Sequence, residues 1–506
     1  MDALIPETTY PKQATSMEMD KPFDALIIGS GIGGLSMGII LSLSHLRVAV
    51  VEKNPLPGGL MRSYQRGGLD CPVGIHYFGS FGAGESLRRM CDYLGVTKRM
   101  TVERMGQDGP IDRYVFDDFS FDLPEGLDTF AESLEQACPE ERQPIAAILK
   151  NLRALADIQN SFAFLSSSPP VLDMDLLAPL GPYLAKMQCS PRLRSVLGVA
   201  SRWMGMSEVE CPVLYHHLAL VSYLQSSWRL QGSGSGLAEA FISRFGDLGG
   251  VLICGDPAAK ILASGNGTVG VKLASGRVLS APRIVAAIHP KAVLPMLPEG
   301  AVNPRYARRI RGFDDTEGLF VVNVAVEAGA HPALPHNIYR LHADRNGMLE
   351  DGVFYQLRPG RGDKNLLMII TKSLFSEWGP WEDTTTGRRG AAYGNEKARR
   401  ADRLLGDADQ VFGPLNGAKI LDAYTPLTVR DWVNSYQGSP YGIMRSSRQM
   451  HAATILHHVN IKGLFFAGQN ALSPGVLGTL LGSFQTARQM IGHDRFSREV
   501  FEKLVP

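Results

Sequence analysis

The sequence lacks the features that identify several large classes of protein. Its 51 Lys and Arg residues balance 50 Asp and Glu residues, so the formal net charge of +1 gives no basic surplus for binding nucleic acid. The six cysteines are scattered, with no Cys-x-x-Cys pair and no histidine at a ligand spacing, which predicts neither a disulfide framework nor a zinc site. We therefore expect reduced thiols in a cytoplasmic protein that has no nucleic-acid partner.

Long apolar runs are also missing. No stretch approaches the ~18 uninterrupted apolar residues of a spanning helix, so any membrane contact is expected to be peripheral. Residues 1–21 lack the apolar core of a secretory signal and are predicted to form a flexible leader. The loop histidines His331, His336 and His342 have no regular helical spacing, so no metal site is expected.

What the sequence does contain is a strand, a glycine turn and a helix near its start. Residues 23–28 (FDALII) are an apolar run, and Gly29, Gly31 and Gly34 follow it in a G-x-G-x-x-G pattern. The first glycine permits the turn, the second lets the backbone approach a pyrophosphate, and the third lets a helix pack on the strand. The helix, predicted over residues 35–46, would offer unpaired N–H groups and a positive dipole end to phosphates.

A second strand is predicted over residues 47–51 (RVAVV), and it ends at Glu52. An acid about 20 residues beyond the glycines binds a free ribose hydroxyl in dinucleotide sites. Strand, turn, helix and acid together favour such a site over an ordinary glycine-rich turn. The later glycine string at residues 232–236 (GSGSG) has no strand of the right kind before it, so no second dinucleotide site is predicted.

The continuation after Glu52 resembles a known family. Gly58 and Gly59, followed by Arg62, resemble the second glycine motif of the FAD-binding superfamily that includes amine oxidases, carotenoid desaturases and Rab GDP-dissociation inhibitors. Residues 68–79 (GLDCPVGIHYFG) are similar to the segment beneath the flavin in retinol saturases and carotenoid isomerases. Paired glycines let the backbone pass close to a ligand, and Arg62 could place positive charge by the diphosphate or be an ordinary surface arginine.

The end of the chain resembles the C-terminal FAD motif of the carotenoid desaturase family. Residues 463–468 (GLFFAG) read as a strand, and QNALSPGVLGTLLGSFQTA follows, with a helix that begins near residue 475. The resemblance implies that Gly468 and Gln469 meet the ribityl-diphosphate link, and that N–H groups at residues 476–478 point at the pyrimidine edge of the flavin. The alternative is a small-residue packing helix over residues 473–487.

FAD is therefore the implied cofactor. The full set of residues that the resemblance implies contact FAD is Gly29, Gly31, Gly33, Gly34, Glu52, Lys53, Gly58, Gly59, Leu60, Arg62, Gly74, Ile75, His76, Ala258, Gly468, Gln469, Val476, Leu477 and Gly478. His76 is the first candidate for moving a proton, because histidine titrates near neutral pH, although it could instead brace the turn. Tyr77 and Tyr441 are alternates. No Ser-His-Asp or paired-carboxylate motif competes with them, as expected where a flavin carries the hard step.

The resemblance implies an α/β protein in which a Rossmann-like FAD-binding domain is interleaved with an α+β substrate-binding domain. The helix-rich stretch 127–230 would bury apolar faces in its own core, line an apolar tunnel, or contact a bilayer. The predicted division is a leader at 1–21, FAD-binding segments at 22–85, 232–298 and 436–506, and substrate-binding segments at 86–231 and 299–435.

The implied activity is that of an FAD-dependent oxidoreductase acting on carbon–carbon double bonds. Its substrate would be a long hydrophobic polyene of carotenoid, retinoid or polyunsaturated acyl type, saturated or desaturated by hydride exchange with flavin N5. The alternatives are a cis–trans isomerase of such a polyene, an amine oxidase-like enzyme, and a lipid-binding protein of the same fold without catalysis. A redox reaction needs an external electron donor or acceptor, which the sequence does not identify.

Overall fold

The computed structural model describes residues 21–166, 170–232, 236–265, 267–457, 459 and 461–505. The predicted leader therefore lies almost wholly outside the described residues, as does the middle of the 232–236 glycine string. The strands of the described residues are, in chain order, β1 (Ala25–Ile28), β2 (Val48–Glu52), β3 (Ser63–Arg66), β4 (Leu69–Pro72), β5 (Phe78–Gly79), β6 (Val102–Met105), β7 (Asp112–Val115), β8 (Ser120–Leu123), β9 (Ser227–Leu230), β10 (Val251–Cys254), β11 (Ala258–Ser264), β12 (Gly267–Leu273), β13 (Val278–Ser280), β14 (Ile284–Ala286), β15 (Gly318–Glu327), β16 (Asn337–Ala343), β17 (Leu349–Arg361), β18 (Lys364–Ser373), β19 (Lys419–Tyr424) and β20 (Leu464–Phe466).

The α-helices of the described residues complete the inventory. They are α1 (Ile32–Leu43), α2 (Ser86–Leu94), α3 (Leu127–Ala137), α4 (Arg142–Asn160), α5 (Leu180–Lys186), α6 (Pro191–Arg202), α7 (Val213–Gln225), α8 (Gly236–Asp247), α9 (Pro290–Val293), α10 (Pro304–Arg311), α11 (Gly390–Phe412), α12 (Pro426–Val433), α13 (Ala452–His457), α14 (Gly475–Ile491), α15 (His493–Phe496) and α16 (Glu502–Leu504).

A five-stranded parallel sheet of order β10-β2-β1-β14-β20 holds both ends of the chain together. All residues of β1 and β2 are buried, because α1, α8 and α14 pack on one face of this sheet and the antiparallel sheet β11-β12-β13 lies on the other. Strands buried on both faces read as continuous apolar runs, which is why residues 23–28 and 47–51 were correctly predicted as strands.

The first helix does not have the bounds that were predicted for it. It begins at Ile32 rather than at residue 35, so Gly33 and Gly34 lie inside its first turn. Because glycine is unfavourable within a helix, helix propensity alone favours a start after Gly34. Here both glycines are required by close packing, and that contact outweighs helix propensity.

A seven-stranded sheet of order β19-β15-β18-β17-β16-β7-β8 forms the second large layer. Strands β7 and β8 pair antiparallel, and β7 joins the sheet through parallel pairing with β16. Helix α11 covers one face, and the β3–β4 hairpin packs on the other. This hairpin falls within the predicted segment 22–85, yet its apolar contacts are with the seven-stranded sheet.

The helix-rich stretch 127–230 forms helices α3 to α7 around a core of its own. Its last four residues contradict the helical prediction, since they form β9, which pairs with β5 and β6. Ser226 is fully extended (φ −166°, ψ 145°) and ends α7, and Trp228 packs edge-on against Phe81 at 5.9 Å between ring centroids. The partner strands come from more than 100 residues earlier, so periodicity within 127–230 carries no sign of them.

The parallel sheet takes its strands from residues 25–52, 251–286 and 464–466. These stretches fall within the three segments predicted for FAD binding, while the seven-stranded sheet draws on the segments between them. The exact division into domains stays a prediction. What matters for the site is that the two sheets and the α3–α7 core meet along one cavity.

Candidate functional site

A cavity of about 700 Å³ lies where the carboxyl ends of the parallel strands face the helical core and the seven-stranded sheet. Its lining includes the ends of β1 and β2, the first turn of α1 and the first turn of α14. Ligands of open α/β sheets bind at the carboxyl ends of the strands, where the topology places loops and helix N-termini. This cavity is therefore the candidate site.

The first turn of α1 forms a cradle with open space in front of it. No described side chain caps this helix, and Gly31, its N-cap, has no atom within 4 Å of the position that a Cβ would take. A Cβ at Gly33 would come within 2.7 Å of Gly468 Cα, and one at Gly34 would overlap the carbonyl oxygen of Gly29. Gly31 thus leaves room for a ligand, while Gly33 and Gly34 permit close backbone packing. Uncapped N–H groups at a helix N-terminus suit a phosphate.

Glu52 lies at the end of β2, lines the cavity and is only 7% exposed. Its Oε2 accepts hydrogen bonds from the backbone N (3.0 Å) and Oγ (2.5 Å) of Ser30, and its Oε1 accepts one from Asn54 N at 2.9 Å. Ser30 Oγ in turn accepts a hydrogen bond from Gly58 N at 3.0 Å. These hydrogen bonds hold the carboxylate in place at the cavity.

Only part of the second glycine motif lines the cavity. Gly59 lines the cavity and packs so closely that a Cβ there would come within 2.9 Å of Gly31 Cα. Gly58 adopts φ +116°, and neither it nor Arg62 is among the described residues that line the cavity. Arg62 Nε donates to Gly59 O at 3.0 Å and its Nη1 donates to Leu56 O at 3.1 Å. Arg62 therefore braces the glycine loop, and its contact with the diphosphate stays a prediction.

Lys53 lines the cavity, and its ammonium group is already engaged. Its Nζ donates to the carbonyl oxygen of Asp431, near the end of α12, at 2.6 Å. Burial lowers its pKa, against the opposing charges of Glu52 and Asp431. Lys53 thus links the end of β2 to α12 at this side of the cavity.

The C-terminal motif faces the same space. Gly468 (φ +78°) packs against Gly33, and Gln469 Nε2 donates to Pro440 O at 3.3 Å. Helix α14 begins at the cavity without a capping side chain among the described residues. The lining of its first turn includes three predicted positions: Val476, Leu477 and Gly478. Two uncapped helix N-termini therefore converge on one cavity.

The remaining predicted cofactor positions also line the cavity: Leu60, Gly74, Ile75, His76 and Ala258. Burial lowers the pKa of His76 to about 4, with the charge of Arg358 contributing, and its Nδ1 has no hydrogen-bond partner among the described residues. A pKa lowered in this way makes the imidazole a weak base near pH 7, and the proton-moving role of His76 stays a prediction. Tyr441 lines the cavity as well, and burial raises its pKa to about 12.

A cluster of aromatic rings along the cavity, called here the aromatic wall, was not predicted from sequence, apart from Tyr77. Tyr77 and Tyr223 lie 4.7 Å apart between ring centroids, as do Tyr223 and Trp203, and Tyr339 lies 4.9 Å from Phe354. All five rings line the cavity. They come from β16, β17, α7, the residue after α6 and the segment before β5, so no local motif in the sequence joins them.

Three further observations describe the chain outside this cavity. Each of the six cysteines has a free thiol. Across the described ranges, no group of three His, Cys, Asp or Glu side chains is arranged to hold a metal ion. Within the same ranges, no helix combines the length and apolar character needed to cross a bilayer.

The strand order and the glycine-lined cavity define a dinucleotide-binding α/β protein of the FAD type. Residues 32–490 match the family model of the flavin-containing amine oxidoreductases, and the chain belongs to this family. It is an FAD-dependent oxidoreductase, as the sequence predicted, and the predicted fold class is confirmed.

Named relatives refine the comparison. The chain is similar to the all-trans-retinol 13,14-reductase of Danio rerio, with 23% identity over 91% of this chain and 84% of that protein. It is 22% identical to the all-trans-zeta-carotene desaturase of Myxococcus xanthus, over 91% of this chain and 92% of that protein. Among solved structures, cyclohexylamine oxidase from Brevibacterium oxydans shares the fold, with a TM-score of 0.60, 19% identity and coverage of 95% of this chain and 100% of that one.

Proposed function

We propose that this oxidoreductase saturates or desaturates carbon–carbon double bonds in a long hydrophobic polyene. The observation that carries the proposal is the continuity of one cavity from the glycine cradle to a wall of aromatic and aliphatic side chains, which include Trp203, Leu214 and Phe354. An apolar wall holds a polyene against a flavin without requiring charged groups. The similarity to a retinol reductase and a carotene desaturase supports the same substrate class.

The residues fit FAD in an extended position across the cavity. The diphosphate would lie at the open space before Gly31 and the first turn of α1, with a ribose at Glu52 and the adenine by Ala258. The isoalloxazine would lie between residues 74–76 and the first turn of α14. Bound FAD supplies hydride exchange with carbon at N5. The positive end of α14 would stabilise negative charge on the reduced ring.

The chain itself contributes binding, orientation and exclusion of water. A substrate clamped against the ring needs no separate covalent catalyst, because positioning alone can account for much of the rate. A carotenoid, a retinoid and a polyunsaturated acyl chain are all substrates of this shape. The external electron donor or acceptor is a separate molecule. Because such substrates dissolve in lipid, we also propose that the enzyme is cytoplasmic and contacts membranes peripherally.

The test is anaerobic. Holoenzyme with chemically reduced flavin is mixed with a panel of carotenoids, retinoids and polyunsaturated acyl esters, and the flavin spectrum and product mass are followed together. We expect flavin reoxidation coupled to a gain of two mass units in one substrate class. The oxidised holoenzyme, given the saturated partner, tests desaturation in the same way. No spectral change with any polyene in either direction would contradict the proposal.

Two outcomes would favour other activities of the same fold. A new geometric isomer of unchanged mass, formed without flavin oxidation, indicates the isomerase. Flavin reduction by amines but not by polyenes indicates an amine oxidase-like enzyme. A colourless protein that does not take up added FAD would instead be a lipid-binding member of the fold without catalysis.

A further inference from the structure

A buried carboxyl group lies directly behind the aromatic wall. Asp112, the first residue of β7, is 0% exposed. Its Oδ2 is 2.9 Å from the hydroxyl oxygen of Tyr77, which is 3.0 Å from the hydroxyl oxygen of Tyr339. Both tyrosines line the cavity, whereas Asp112 does not. The three groups form a continuous hydrogen-bonded chain from the protein interior to two residues that line the cavity.

A row of amides fixes where a proton on Asp112 must lie. The backbone carbonyl of His76 can only accept, and Gln356 Nε2 approaches it at 3.4 Å and donates to Asn337 Oδ1 at 2.9 Å. Asn337 Oδ1 is thereby an acceptor, so its Nδ2 donates to Asp112 Oδ1 at 2.8 Å. Since Oδ1 accepts, a proton on this carboxyl group belongs on Oδ2, where it faces Tyr77.

No cation neutralises this carboxyl group within the described part of the chain. The titratable groups that face it are phenols: Tyr77 from the segment before β5, Tyr339 from β16, Tyr223 from α7 and Tyr114 from β7 itself. Burial without a counter-charge raises the pKa of Asp112 to about 7, although the hydrogen bonds from Asn337 and Tyr77 oppose the rise. The group therefore binds and releases a proton near neutral pH.

We propose that Tyr77 exchanges a proton with the substrate carbon and that Asp112, as a positioning residue, replaces or removes that proton through Tyr77 Oη. This inference rests on the proposed function. It names the proton partner of the hydride step, a role for which His76 was the first candidate. It also explains a buried carboxyl group that has no structural counter-ion.

The step balances in atoms and electrons. In the reductive direction the carbon–carbon π bond breaks, one carbon takes the hydride of reduced FAD, and the other takes the proton from Tyr77 Oη. The Asp112 Oδ2–H bond breaks as its proton moves to Tyr77, and the carboxylate later regains a proton from water. In the oxidative direction, with FAD as the hydride acceptor, every transfer runs in reverse. Because Asp112 must be protonated to donate, the reductive rate should fall as the pH rises through about 7.

Holoenzymes of wild type, Asp112→Asn and Tyr77→Phe test the inference by anaerobic single-turnover reduction of the responsive polyene across pH 5 to 9. General acid catalysis contributes about 10²–10⁴-fold, so we expect Tyr77→Phe to slow the step about 100-fold. Asp112→Asn should slow it about 10-fold or more, abolish the fall with pH, and reduce the solvent deuterium isotope effect. Asp122→Asn on the neighbouring strand β8, an exposed partner of Arg113, is the matched control and should behave as wild type.

A second readout does not depend on turnover. The infrared carbonyl band of a protonated carboxylic acid should titrate near pH 7 in wild-type holoenzyme and be missing in Asp112→Asn. The inference would be overturned if both variants kept the wild-type pH profile. It would also be overturned if the band persisted in Asp112→Asn. If wild type reduces no polyene, the proposed function fails instead, and the infrared band alone decides whether Asp112 stores a proton.

Discussion

At the scale of single residues, the site depends on glycines that do different things. A Cβ at Gly31 would meet open space and its φ of −64° suits any residue, so Gly31→Ala should leave the apoprotein as stable as wild type. The same methyl group would occupy the space assigned to the diphosphate. Overpacking costs about 1–3 kcal/mol, so we expect FAD affinity to fall about 10- to 100-fold. FAD titration by flavin fluorescence and thermal melts of the apoprotein measure the two effects.

Two further variants serve as comparisons for this prediction. Gly34→Ala, whose methyl group would overlap the Gly29 carbonyl oxygen, should lower apoprotein stability as well as FAD affinity. Gly406→Ala on α11 places its methyl group more than 4 Å from the described atoms of other elements and lies away from the cavity, so FAD affinity should not change. Because alanine is favoured over glycine inside a helix, apoprotein stability should rise by about 1 kcal/mol. Normal FAD affinity in Gly31→Ala would show that the diphosphate does not lie before α1.

Sequence reasoning reached the residues whose function depends on local spacing. Gly29, Gly31 and Glu52 follow from a fixed distance between a strand, a turn and a second strand. Asp112 and Tyr339 did not follow, because their meaning depends on two strands that pair in parallel although they lie 225 residues apart. A buried aspartate at the start of a strand has no sequence signature until its neighbours in the fold are known.

At the scale of elements, α12 connects the seven-stranded sheet to the cavity. Asn54 Nδ2 donates to the carbonyl oxygen of Trp432 near its end at 2.8 Å, close to the Lys53 contact. The opposite side is held by Arg389, whose Nη2 lies 2.5 Å from Asp431 Oδ2 in a pair with exposed side-chain fractions of 4% and 16%. Trp432 itself lines the cavity. Movement of α12 would therefore alter the site directly.

Removal of the Asp431 carboxylate should loosen this helix. Asp431→Ala leaves the Arg389 guanidinium buried without its carboxylate, and breaking a buried pair in this way costs about 3 kcal/mol. We expect faster amide hydrogen exchange in Pro426–Val433 and weaker FAD binding, with the far end of the seven-stranded sheet unchanged. Glu396→Ala on α11 removes surface pairs with Arg399 and Arg400 and should have little effect. Exchange rates in α12 equal to those of wild type would contradict the role given to this ion pair.

How each strand is buried and paired explains whether it could be predicted from the sequence. Strands β1 and β2 are buried on both faces, so an unbroken apolar run identified them. Strand β9 could not be identified, because its partners are strands β5 and β6, far back in the chain, and it follows α7 after a single extended residue. Local patterns predict elements whose burial is local, and they fail where long-range pairing decides the conformation.

At the scale of the whole molecule, the two ends of the chain form one site. Ser36 Oγ on α1 donates to Ser483 Oγ on α14 at 2.9 Å, and β1 and β20 flank β14 in the parallel sheet. The sequence indicated this arrangement because both terminal motifs point to one cofactor. The path of the chain between them, including the β3–β4 hairpin that packs on the seven-stranded sheet, was not evident from either motif.

FAD should therefore protect both ends of the chain at once. A ligand that binds only the folded state stabilises it by about 2.7 kcal/mol at 100 times its dissociation constant, and the effect is largest where the ligand itself bridges elements. We expect added FAD to slow amide exchange together in the first turns of α1 and α14, about 440 residues apart, while peptides of the exposed helix α11 stay unchanged. In Gly31→Ala the protection should fall at both helices at the same FAD concentration, to about 0.4–1.4 kcal/mol if affinity drops 10- to 100-fold. Protection confined to α1 would mean that the C-terminal motif only packs against the first, and that the flavin ring lies elsewhere than at α14.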